Sequence, residues 1–338
     1  MIRAIVIGLG NMGLSHALAL HAANGVEIVA LVNRSPRTLP DELKNCQFLT
    51  DIDEAFALAP DLVVIATYSD SHAPIAIRAM EGGAHVFVEK PLATTLDDAL
   101  AVVDTATRLN RKLIVGYILR HHPSWQRLIA EARGLGGPYV FRMNLNQQSV
   151  GDEWATHRAL MQSTSPLVDC GVHYVDVMCQ ITDAAPVQVQ GIGLRLSDEI
   201  PEDIYNYGQL QVRFSDGSVG WYEAGWGPMM SQTAYFVKDI VSPNGAVSIV
   251  DAASDNSAEI EGHTKVGGLL VHRLSGDEHI TLEDEPGHQA LCDAEQRFVL
   301  RAILEDIDLT RHINDAIQSL AICIAADKSI RIGMSVQL

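Results

Sequence analysis

The sequence predicts an α/β chain of two domains. These are an N-terminal doubly wound parallel sheet and a C-terminal α+β domain with a large, mostly antiparallel, open-faced sheet. Up to residue 120, short apolar strands alternate with helical segments, as in a parallel sheet covered on both faces. Beyond residue 120, most segments are β-rich and separated by turn signals. The 338 residues also exceed what one simple core needs. We therefore place the domains at residues 1–120 and 121–338.

The first domain is predicted to contain strands joined by helices. The strands are RAIVIGLG, VEIVALVN, DLVVIATY, AHVFVEKPL and KLIVGYILR, and the helices are residues 12–24, DIDEAFAL, SHAPIAIRAMEGG and TLDDALAVVDTATRLN. The third helix ends in Gly82-Gly83, which favours a C-cap, and the fourth begins with Thr or Asp near its N-cap. The continuous apolar runs in the strands predict a sheet that is buried on both faces.

The second domain is predicted to begin with a helix over residues 124–133 and the strand YVFRMNLNQQ. A helix follows at LVDCGVHYVDVM, residues 167–178. Later runs are β-rich, namely VQVQGIGLRL, YNYGQLQVRF, SVGWYEAGW, AYFVKDIV, AVSIVD and LLVHRL. Helices over residues 290–305 and 313–330 close the chain. The alternating polarity of the strands predicts one exposed sheet face.

Composition argues against two classes of partner. The formal charge of −18, from 42 acidic and 24 basic side chains, repels both nucleic acid and anionic membranes. The five cysteines are scattered without a CxxC pair, which favours reduced thiols in a cytoplasmic protein. No segment approaches the roughly 20 consecutive apolar residues of a membrane span. We therefore expect a cytoplasmic protein that acts on a small molecule.

A glycine-rich turn follows the first strand and opens the first helix: Gly8-Leu-Gly10-Asn11-Met12-Gly13. The first glycine permits the tight turn, the second lets backbone approach a pyrophosphate, and the third allows close packing of helix on strand. The phosphates then lie at the helix N-terminus. Because the strand and helix that the motif requires flank it, the turn predicts a dinucleotide-binding Rossmann domain.

The cofactor preference depends on the end of the second strand. About 20 residues beyond the last glycine, a carboxylate normally binds the ribose hydroxyls of NAD. This chain instead has Asn33, which does not repel a 2′-phosphate, followed by Arg34, whose guanidinium can pair with one. The sequence therefore slightly favours NADP over NAD.

The segment LVDCGVHYVDVM places three ionisable residues on an otherwise apolar helix. Asp169 and His173 are four residues apart, and Asp176 follows three residues later, so all share one face. A catalytic pair, a metal site and a hydrogen-bonded core cluster all fit this spacing. Separately, the fourth strand ends in Glu89-Lys90-Pro91, and in doubly wound sheets ligands bind at the carboxyl ends of strands.

Together these motifs resemble the Gfo/Idh/MocA family of NAD(P)-dependent sugar and polyol oxidoreductases. The resemblance extends over nearly the whole chain. It rests on the glycine turn, residues 66–72, GGAHVFVEKPLA at 82–93, GYILRHHP at 116–123, DCGVHYVD at 169–176, DGSVGWYEAGW and DAIQSLAICIAADKSI.

The resemblance implies roles for named residues. Lys90 is expected near the reacting hydroxyl, and His173 is expected to be the acid/base, with Asp169 one helical turn before it. Lys90 is also expected to project towards the nicotinamide. Further residues are expected at the cofactor, namely Thr67, His72 and Glu89. The family likeness also implies self-association through the open sheet face, as a homodimer or homotetramer.

Two segments depart from the family pattern, so the substrate of no particular relative is carried over. Tyr68 and Ser69 stand where family members often have Pro and Asn. Residues 163–166, Ser-Thr-Ser-Pro, replace the usual glycine-rich run before the catalytic helix. By position, Arg120 and Trp154 are candidate substrate contacts, although core packing is the competing interpretation for the tryptophan.

We expect an oxidoreductase that transfers a hydride between NADP or NAD and a secondary hydroxyl or carbonyl of a sugar, inositol or related polyhydroxy compound. No metal is expected, because an ammonium group at Lys90 beside a cation is unfavourable. Two alternatives stay open. One is a cofactor-binding regulator or sensor without catalysis, and the other is a cofactor-assisted lyase or glycosidase that returns the hydride to its substrate.

Overall fold

The computed structural model describes residues 1–231, 237–250 and 266–338. The chain divides into two compact units. The first comprises Met1–Ile118 and Gly287–Ile317, and the second comprises Leu119–Pro286 and Gln318–Leu338. The sequence pattern placed every residue after 120 in the second domain, whereas the structure groups Gly287–Ile317 with the first unit.

The first unit is built on a parallel sheet of six strands in the described residues, with the order β3-β2-β1-β4-β5-β6. The strands are β1 Ile2–Ile7, β2 Val26–Val32, β3 Phe48–Leu49, β4 Leu62–Ile65, β5 His85–Glu89 and β6 Leu113–Gly116. Their residues are largely buried, as continuous apolar strands require. The predicted doubly wound sheet is confirmed, and β3 is a short strand that the sequence analysis did not include.

The helices of the first unit flank this sheet in the chain order expected of the fold. They are α1 Asn11–Ala22, α2 Ile52–Ala57, α3 His72–Glu81, α4 Leu96–Leu109 and α9 His288–Leu304. The hydroxyl of Thr95 accepts the N–H of Asp98 at 3.1 Å, so the predicted cap of α4 is present. Helix α9 packs on α1, which brings residues from the end of the chain beside the glycine turn.

The predicted fifth strand is too long at its carboxyl end. It was expected to run through Arg120, but β6 ends at Gly116 and a 3₁₀ helix covers Ile118–His121. Arg120 therefore does not end a strand, and it belongs to the second unit.

The second unit contains a nine-stranded sheet in the described residues, in the order β14-β13-β12-β11-β7-β10-β9-β8-β15. The strands are β7 Val140–Gln148, β8 Pro186–Leu194, β9 Tyr207–Phe214, β10 Val219–Gly227, β11 Lys238–Ser242, β12 Gly245–Ile249, β13 Gly268–Arg273, β14 Gly276–Thr281 and β15 Val336–Gln337. Strands β7 and β10 pair in parallel, and the other pairs are antiparallel, as predicted. Residues 234–236 and 251, which fall in two predicted strands, lie outside the described residues.

One face of this sheet is covered by helices. The helices of the second unit are α5 Pro123–Leu135, α6 Gly151–Leu160, α7 Pro166–Asp169 and α8 Gly171–Thr182, and the chain ends with α10 Thr310–Ile332 and β15. Helices α7 and α8 pack on β10, and α8 also packs on β7. Side chains of β9 and the first part of β10 alternate between buried and more exposed positions, so the predicted open face is present.

Among the residues that the structure describes, no helix has both the length and the apolar character required to cross a membrane.

Candidate active site

The glycine turn has the geometry that a bound pyrophosphate requires. Gly8 has φ +88°, and a Cβ there would lie 2.4 Å from the carbonyl oxygen of Ala66. A Cβ on Gly13 would lie 1.8 Å from the carbonyl oxygen of Gly8, so close packing of α1 requires glycine. In contrast, a Cβ on Gly10 would meet nothing within 4 Å. The backbone at Gly10 is thus open to a ligand, as the motif demands.

The N-terminus of α1 offers the other half of this site. Gly10 is the N-cap and provides no side-chain cap, and the first turn, which begins with Asn11 and Met12, contains no acidic residue. The first N–H groups of the helix are therefore suited to phosphate oxygens, and the helix dipole favours negative charge there. These residues fit a nicotinamide dinucleotide, which supplies hydride donation and acceptance when bound.

Asn33 supports the glycine turn from the end of β2. Its Oδ1 accepts the N–H of Leu9 at 3.0 Å, and its Nδ2 donates to the carbonyl oxygen of Ser35 at 2.9 Å. Arg34, the next residue, is exposed. The asparagine thus holds the turn itself, while the arginine beside it is accessible to a ligand.

Thr67 and His72 connect two strand-end segments of the first unit. His72 is 1% exposed, and its Nδ1 and Nε2 lie 2.7 Å from the carbonyl oxygen of Pro91 and 3.1 Å from that of Thr67. Burial lowers the pKa of His72 and outweighs the two carbonyl contacts, which raise it. We assign the proton of the neutral ring to Nδ1, on the shorter distance. His72 therefore donates to the turn after Lys90 and lies against the carbonyl oxygen of Thr67 after β4, and the Thr67 hydroxyl accepts a hydrogen bond from Ser71 at 2.7 Å.

Glu89, the residue before Lys90, is buried and hydrogen-bonded to His16, a residue that the sequence did not single out. Glu89 Oε1 lies 2.7 Å from His16 Nε2, and its Oε2 accepts the backbone N–H of Lys90 at 3.2 Å. Although burial acts to raise the pKa of Glu89, the hydrogen bond from His16 and the charge of Lys90 lower it below its ordinary value. Lys90 itself is half-buried. In the sequence, the only signal for His16 was that a polar residue lies on the face of α1 that packs against the strands.

A three-residue group around His16 has the composition of a metal site. Donor atoms of His16, Cys292 and Glu295, all buried, lie within 4.8 Å of one another. However, the imidazole nitrogens are already engaged, one with Glu89 and the other with Gln296 Nε2 at 3.1 Å. Ligation through His16 would break one of these hydrogen bonds. We therefore assign His16 to hydrogen bonding.

In the second unit, the predicted helix over residues 167–178 is interrupted. Helix α7 ends at Asp169, and α8 begins at Gly171, because the N–H of His173 bonds to the carbonyl oxygen of Cys170 at 3.2 Å. A Cβ on Gly171 would lie 3.0 Å from the ring of Tyr222, so packing on β10 requires glycine at this break. Asp169 and His173 therefore lie on consecutive helices rather than one.

His173 is less buried than its neighbours on α8. Within Gly171–Cys179, every residue except His173 is fully buried. Asp169 is 8% exposed, and the thiol of Cys170 lies 3.6 Å from its Oδ2. This part of the helix therefore has one partly exposed titratable side chain, with a carboxylate one turn before it.

The third ionisable residue of this segment has a structural partner. Asp176 is 1% exposed and accepts two hydrogen bonds from Arg120, from Nε at 2.9 Å and from Nη2 at 2.5 Å. Gln180 Nε2 donates to the same carboxylate at 2.9 Å. Arg120, a predicted substrate contact, thus binds a buried carboxylate in its own unit.

Trp154, the other predicted substrate contact, is 4% exposed. Its indole N–H donates to Glu199 at 3.2 Å, and the guanidinium of Arg158 lies 5.8 Å from the ring centroid. This placement favours packing over sugar stacking. Trp226 is also buried, with its N–H on Gln147 at 2.8 Å and the ring of His157 stacked on it at 4.4 Å.

The structure thus brings some predicted residues together within each unit. The first unit holds the glycine turn with Asn33, the Thr67–His72 pair, and Glu89 with Lys90. The second holds Asp169 and His173, and it pairs Arg120 with Asp176 instead of leaving the arginine available.

Comparison with known proteins identifies both parts of the chain. The family model described as oxidoreductase family, NAD-binding Rossmann fold, matches residues 2–117, and the model described as GFO/IDH/MocA C-terminal domain matches residues 126–237. The chain is 26% identical to scyllo-inositol 2-dehydrogenase (NAD(+)) of Bacillus subtilis (strain 168), over 100% of this chain and 96% of that protein.

Two further similarities bear on the chemistry and the fold. A glycosyl hydrolase family 109 protein of Shewanella pealeana is 34% identical, over 34% of this chain and 28% of its own length. The structure of scyllo-inositol dehydrogenase from Lactobacillus casei, with bound NAD(H) and scyllo-inositol, superposes with a TM-score of 0.78 at 19% identity and covers 100% of this chain and 99% of its own. At that identity the likeness shows the shared fold.

Proposed function

The chain belongs to the Gfo/Idh/MocA family of oxidoreductases, and on that premise we propose that it oxidises a secondary hydroxyl of a sugar, inositol or related polyhydroxy compound. The observation that carries the proposal is that His173 is partly exposed. In a chain whose glycine turn fits a dinucleotide, it is the one residue within Gly171–Cys179 that is not fully buried.

The proposed reaction separates a proton from a hydride. His173 accepts the hydroxyl proton, because an imidazole titrates near neutral pH, and it returns the proton to the carbonyl oxygen in the reverse direction. Lys90 stabilises the alkoxide-like oxygen by its charge, which requires proximity rather than proton transfer. Asp169 orders the substrate or the imidazole. A nicotinamide cofactor bound at the glycine turn would supply hydride acceptance.

The polyol class is supported by the relatives rather than by a pocket. The Bacillus subtilis protein, similar over the whole chain, is a scyllo-inositol 2-dehydrogenase. Residues 163–166 depart from the family pattern, however, and these residues immediately precede α7 and Asp169. We therefore assign the class of substrate and not a single sugar or inositol.

The proposed cofactor residues all lie in the first unit. Gly8, Gly10 and Gly13 with Asn11 and Met12 hold the pyrophosphate, while Asn33 and Arg34 bind the adenosine ribose. Thr67 is a further proposed contact of the cofactor. His72 and Glu89 support the cofactor site without touching the cofactor, since both are buried and their polar atoms are hydrogen-bonded within the protein. Arg34 is exposed and Asn33 carries no charge, and both facts support a preference for NADP.

A second candidate function follows from the glycosyl hydrolase family 109 relative, which is similar over a third of the chain. In this alternative, the hydride that leaves the substrate returns to it after an elimination or hydrolysis step. The same residues, His173 and Lys90, serve both reactions. The two functions differ in whether reduced cofactor accumulates.

Self-association through the open sheet face is also proposed, as a homodimer or homotetramer. Val140 on β7 lies opposite Val219 on β10 and opposite Val241 on β11. The three valines are 41%, 39% and 38% exposed, so an apolar row crosses adjacent strands on one face. Light scattering on the wild type and on Val140→Lys tests this, because a charge in the row should dissociate the oligomer.

A substrate panel tests the proposed function. The purified chain is incubated with inositol isomers, aldoses, uronic acids and glycosides, with NAD and NADP in parallel, while cofactor reduction and substrate loss are both followed. Net cofactor reduction on a polyhydroxy compound supports the dehydrogenase. Substrate loss without net reduction selects internal hydride return, and tight cofactor binding without any turnover selects a sensor.

A further inference from the structure

The chain carries a buried polar network directly behind Lys90, formed by residues that no comparison assigns. It runs from Gln296 on α9 through His16 on α1 to Glu89 at the end of β5. All three belong to the first unit. Their exposed fractions are 1%, 0% and 6%. A polar network this deeply buried is costly unless its members satisfy one another.

The hydrogen bonds fix the protonation state of the network. Gln296 Nε2 donates to His16 Nδ1 at 3.1 Å, so that nitrogen is the acceptor of the ring. The other nitrogen, Nε2, then carries the proton and donates to Glu89 Oε1 at 2.7 Å. A hydrogen bond donated to the carboxylate favours its ionised form, in agreement with the lowered pKa of Glu89. His16 therefore keeps Glu89 negatively charged at a site where burial alone would protonate it.

Phe87 and Gly116 leave room for His16 and Glu89 to meet. The ring of His16 packs edge-on against Phe87, with centroids 4.7 Å apart. A Cβ on Gly116 would lie 3.2 Å from Glu89 Oε1 and 2.9 Å from the ring of Phe87, so the absence of a side chain on β6 makes room for the carboxylate. The contacts of Glu89 thus come from three separate elements, α1, β5 and β6.

Glu89 acts on Lys90 in two ways. Its Oε2 accepts the backbone N–H of Lys90 at 3.2 Å, which orients the turn that carries the side chain. Its charge also attracts the ammonium group, and this attraction is mutual. Other titratable groups that these charges reach are His72 on α3 and Cys292 on α9.

We propose that His16 and Glu89 form a positioning pair that holds Lys90 as an oriented ammonium group, with Gln296 fixing the tautomer of His16. The pair touches neither substrate nor cofactor in this assignment. It acts through Lys90, and its role in turnover rests on the proposed function. Its effect on Lys90 does not depend on catalysis and can be measured without substrate.

The test measures the reactivity of Lys90. Only the neutral amine of a lysine reacts with an acetylating reagent, so the pH at which half of Lys90 is acetylated in a fixed time reports its protonation. Peptide mass spectrometry on the full chain gives this midpoint. In Glu89→Gln the midpoint should fall by about one pH unit, because a nearby opposite charge is removed. Glu81→Gln, the same change at an exposed acid of the same unit, should leave it unchanged.

His16 variants separate the pair from a general packing effect. His16→Phe keeps a ring against Phe87 but removes the donor, so Glu89 should take up a proton and the midpoint should fall as in Glu89→Gln. In the double variant with His16→Phe and Glu89→Gln, the midpoint should fall no further, since each change alone already removes the negative charge of Glu89. His16→Gln restores a donor and should recover most of the wild-type midpoint, and it serves if His16→Phe does not fold. His21→Phe, on the exposed side of the same helix, is the matched control.

Failure of the positioning pair and failure of the proposed function give different results. If folded Glu89→Gln keeps the wild-type acetylation midpoint of Lys90, the positioning pair is overturned, whatever the activity. A shifted midpoint in a protein that oxidises no polyol leaves the pair standing and rejects the proposed function instead. Where turnover is found, Glu89→Gln should lower kcat at least about 10-fold with little change in the cofactor Kd, and the loss should grow as the pH rises.

Discussion

Arg120 and Asp176 form a bidentate ion pair inside the second unit, with side chains 10% and 1% exposed. The pair connects the 3₁₀ turn after β6 to the centre of α8. The spacing alone could not assign the carboxylate of Asp176, and this pair gives it a structural role. Arg120, which was expected at substrate, is hydrogen-bonded within the second unit.

We predict that Asp176→Asn destabilises the chain by about 3–5 kcal/mol, because it leaves the Arg120 charge buried without its counterion. Denaturant unfolding measures the loss. Asp198→Asn is the matched control, since that carboxylate is fully exposed and pairs with Arg195 across one turn. Equal stability of the two variants would contradict the structural role of the buried pair.

The partly exposed histidine of α8, His173, should carry the proton. His173→Asn is expected to lower kcat by roughly 100-fold or more with any substrate the panel identifies, because the general base is lost. Cofactor affinity, measured by fluorescence titration, should stay within about twofold. His279→Asn changes an exposed histidine of β14 in the same way and should be silent. Unchanged kcat in His173→Asn would remove this residue from the mechanism.

The glycine turn offers a test that separates folding from cofactor binding. In Gly10→Ala the new methyl group meets nothing in the described protein within 4 Å, so the fold should survive while pyrophosphate binding weakens at least about 10-fold. In Gly13→Ala the methyl group would lie 1.8 Å from the carbonyl oxygen of Gly8, so the melting temperature should fall. Calorimetric titration and thermal unfolding measure the two effects. Wild-type cofactor affinity in Gly10→Ala would count against a pyrophosphate at this turn.

Cofactor choice should respond to the end of β2. Asn33→Asp keeps the oxygen that accepts the N–H of Leu9 but adds a charge that repels a 2′-phosphate. We expect kcat/KM with NADP to fall at least about 10-fold relative to NAD, and Arg34→Ala to act in the same direction. Arg37→Ala, at another exposed arginine of this loop, is the control. A wild type that already prefers NAD, with no response in Arg34→Ala, would reject the NADP preference.

Lys238 makes the stability of the chain depend on pH. It is 3% exposed, its Nζ donates to the carbonyl oxygen of Asn144 at 2.6 Å, and burial lowers its pKa from 10.5 to about 7. Between about pH 7 and 10.5 the unfolded chain therefore binds more protons than the folded chain, so the Lys238 contribution to stability rises with pH over this window.

Lys238→Met should remove this pH dependence of the unfolding free energy, whose slope is up to about 1.4 kcal/mol per pH unit. The variant is expected to be more stable than the wild type at pH 6 and to lose that advantage towards pH 9. Scanning calorimetry across this range measures it, with Lys328→Met, at an exposed lysine, as the control. A stability difference that does not vary with pH would contradict the burial of a titrating lysine.

The features that local signals determine were predictable from the sequence. The strand, glycine turn and helix at residues 2–22 follow from three glycines in a fixed spacing, and the cap of α4 follows from Thr95. The open sheet follows from alternating polarity. In each case the cause lies within a few residues of its effect.

The features that could not be predicted from the sequence depend on contacts between residues far apart in the chain. His16 and Glu89 are separated by 73 positions, so no spacing rule links them. The break between α7 and α8 was not predicted, because a helical period alone indicates a continuous helix. The inclusion of Gly287–Ile317 in the first unit likewise depends on α9 packing against α1, since the amphipathic pattern of a helix does not name its partner.

The proposed function requires net hydride transfer from a substrate carbon to the nicotinamide, and transfer of an isotope label measures this step. The substrate found by the panel is prepared with deuterium at the carbon that is oxidised, and reduced cofactor from the wild-type reaction is examined by mass spectrometry. We predict one deuterium in each reduced nicotinamide formed, with a ketone product in equal amount. Conversion of the substrate with deuterium retained in the product, and none in the cofactor pool, would contradict the dehydrogenase assignment.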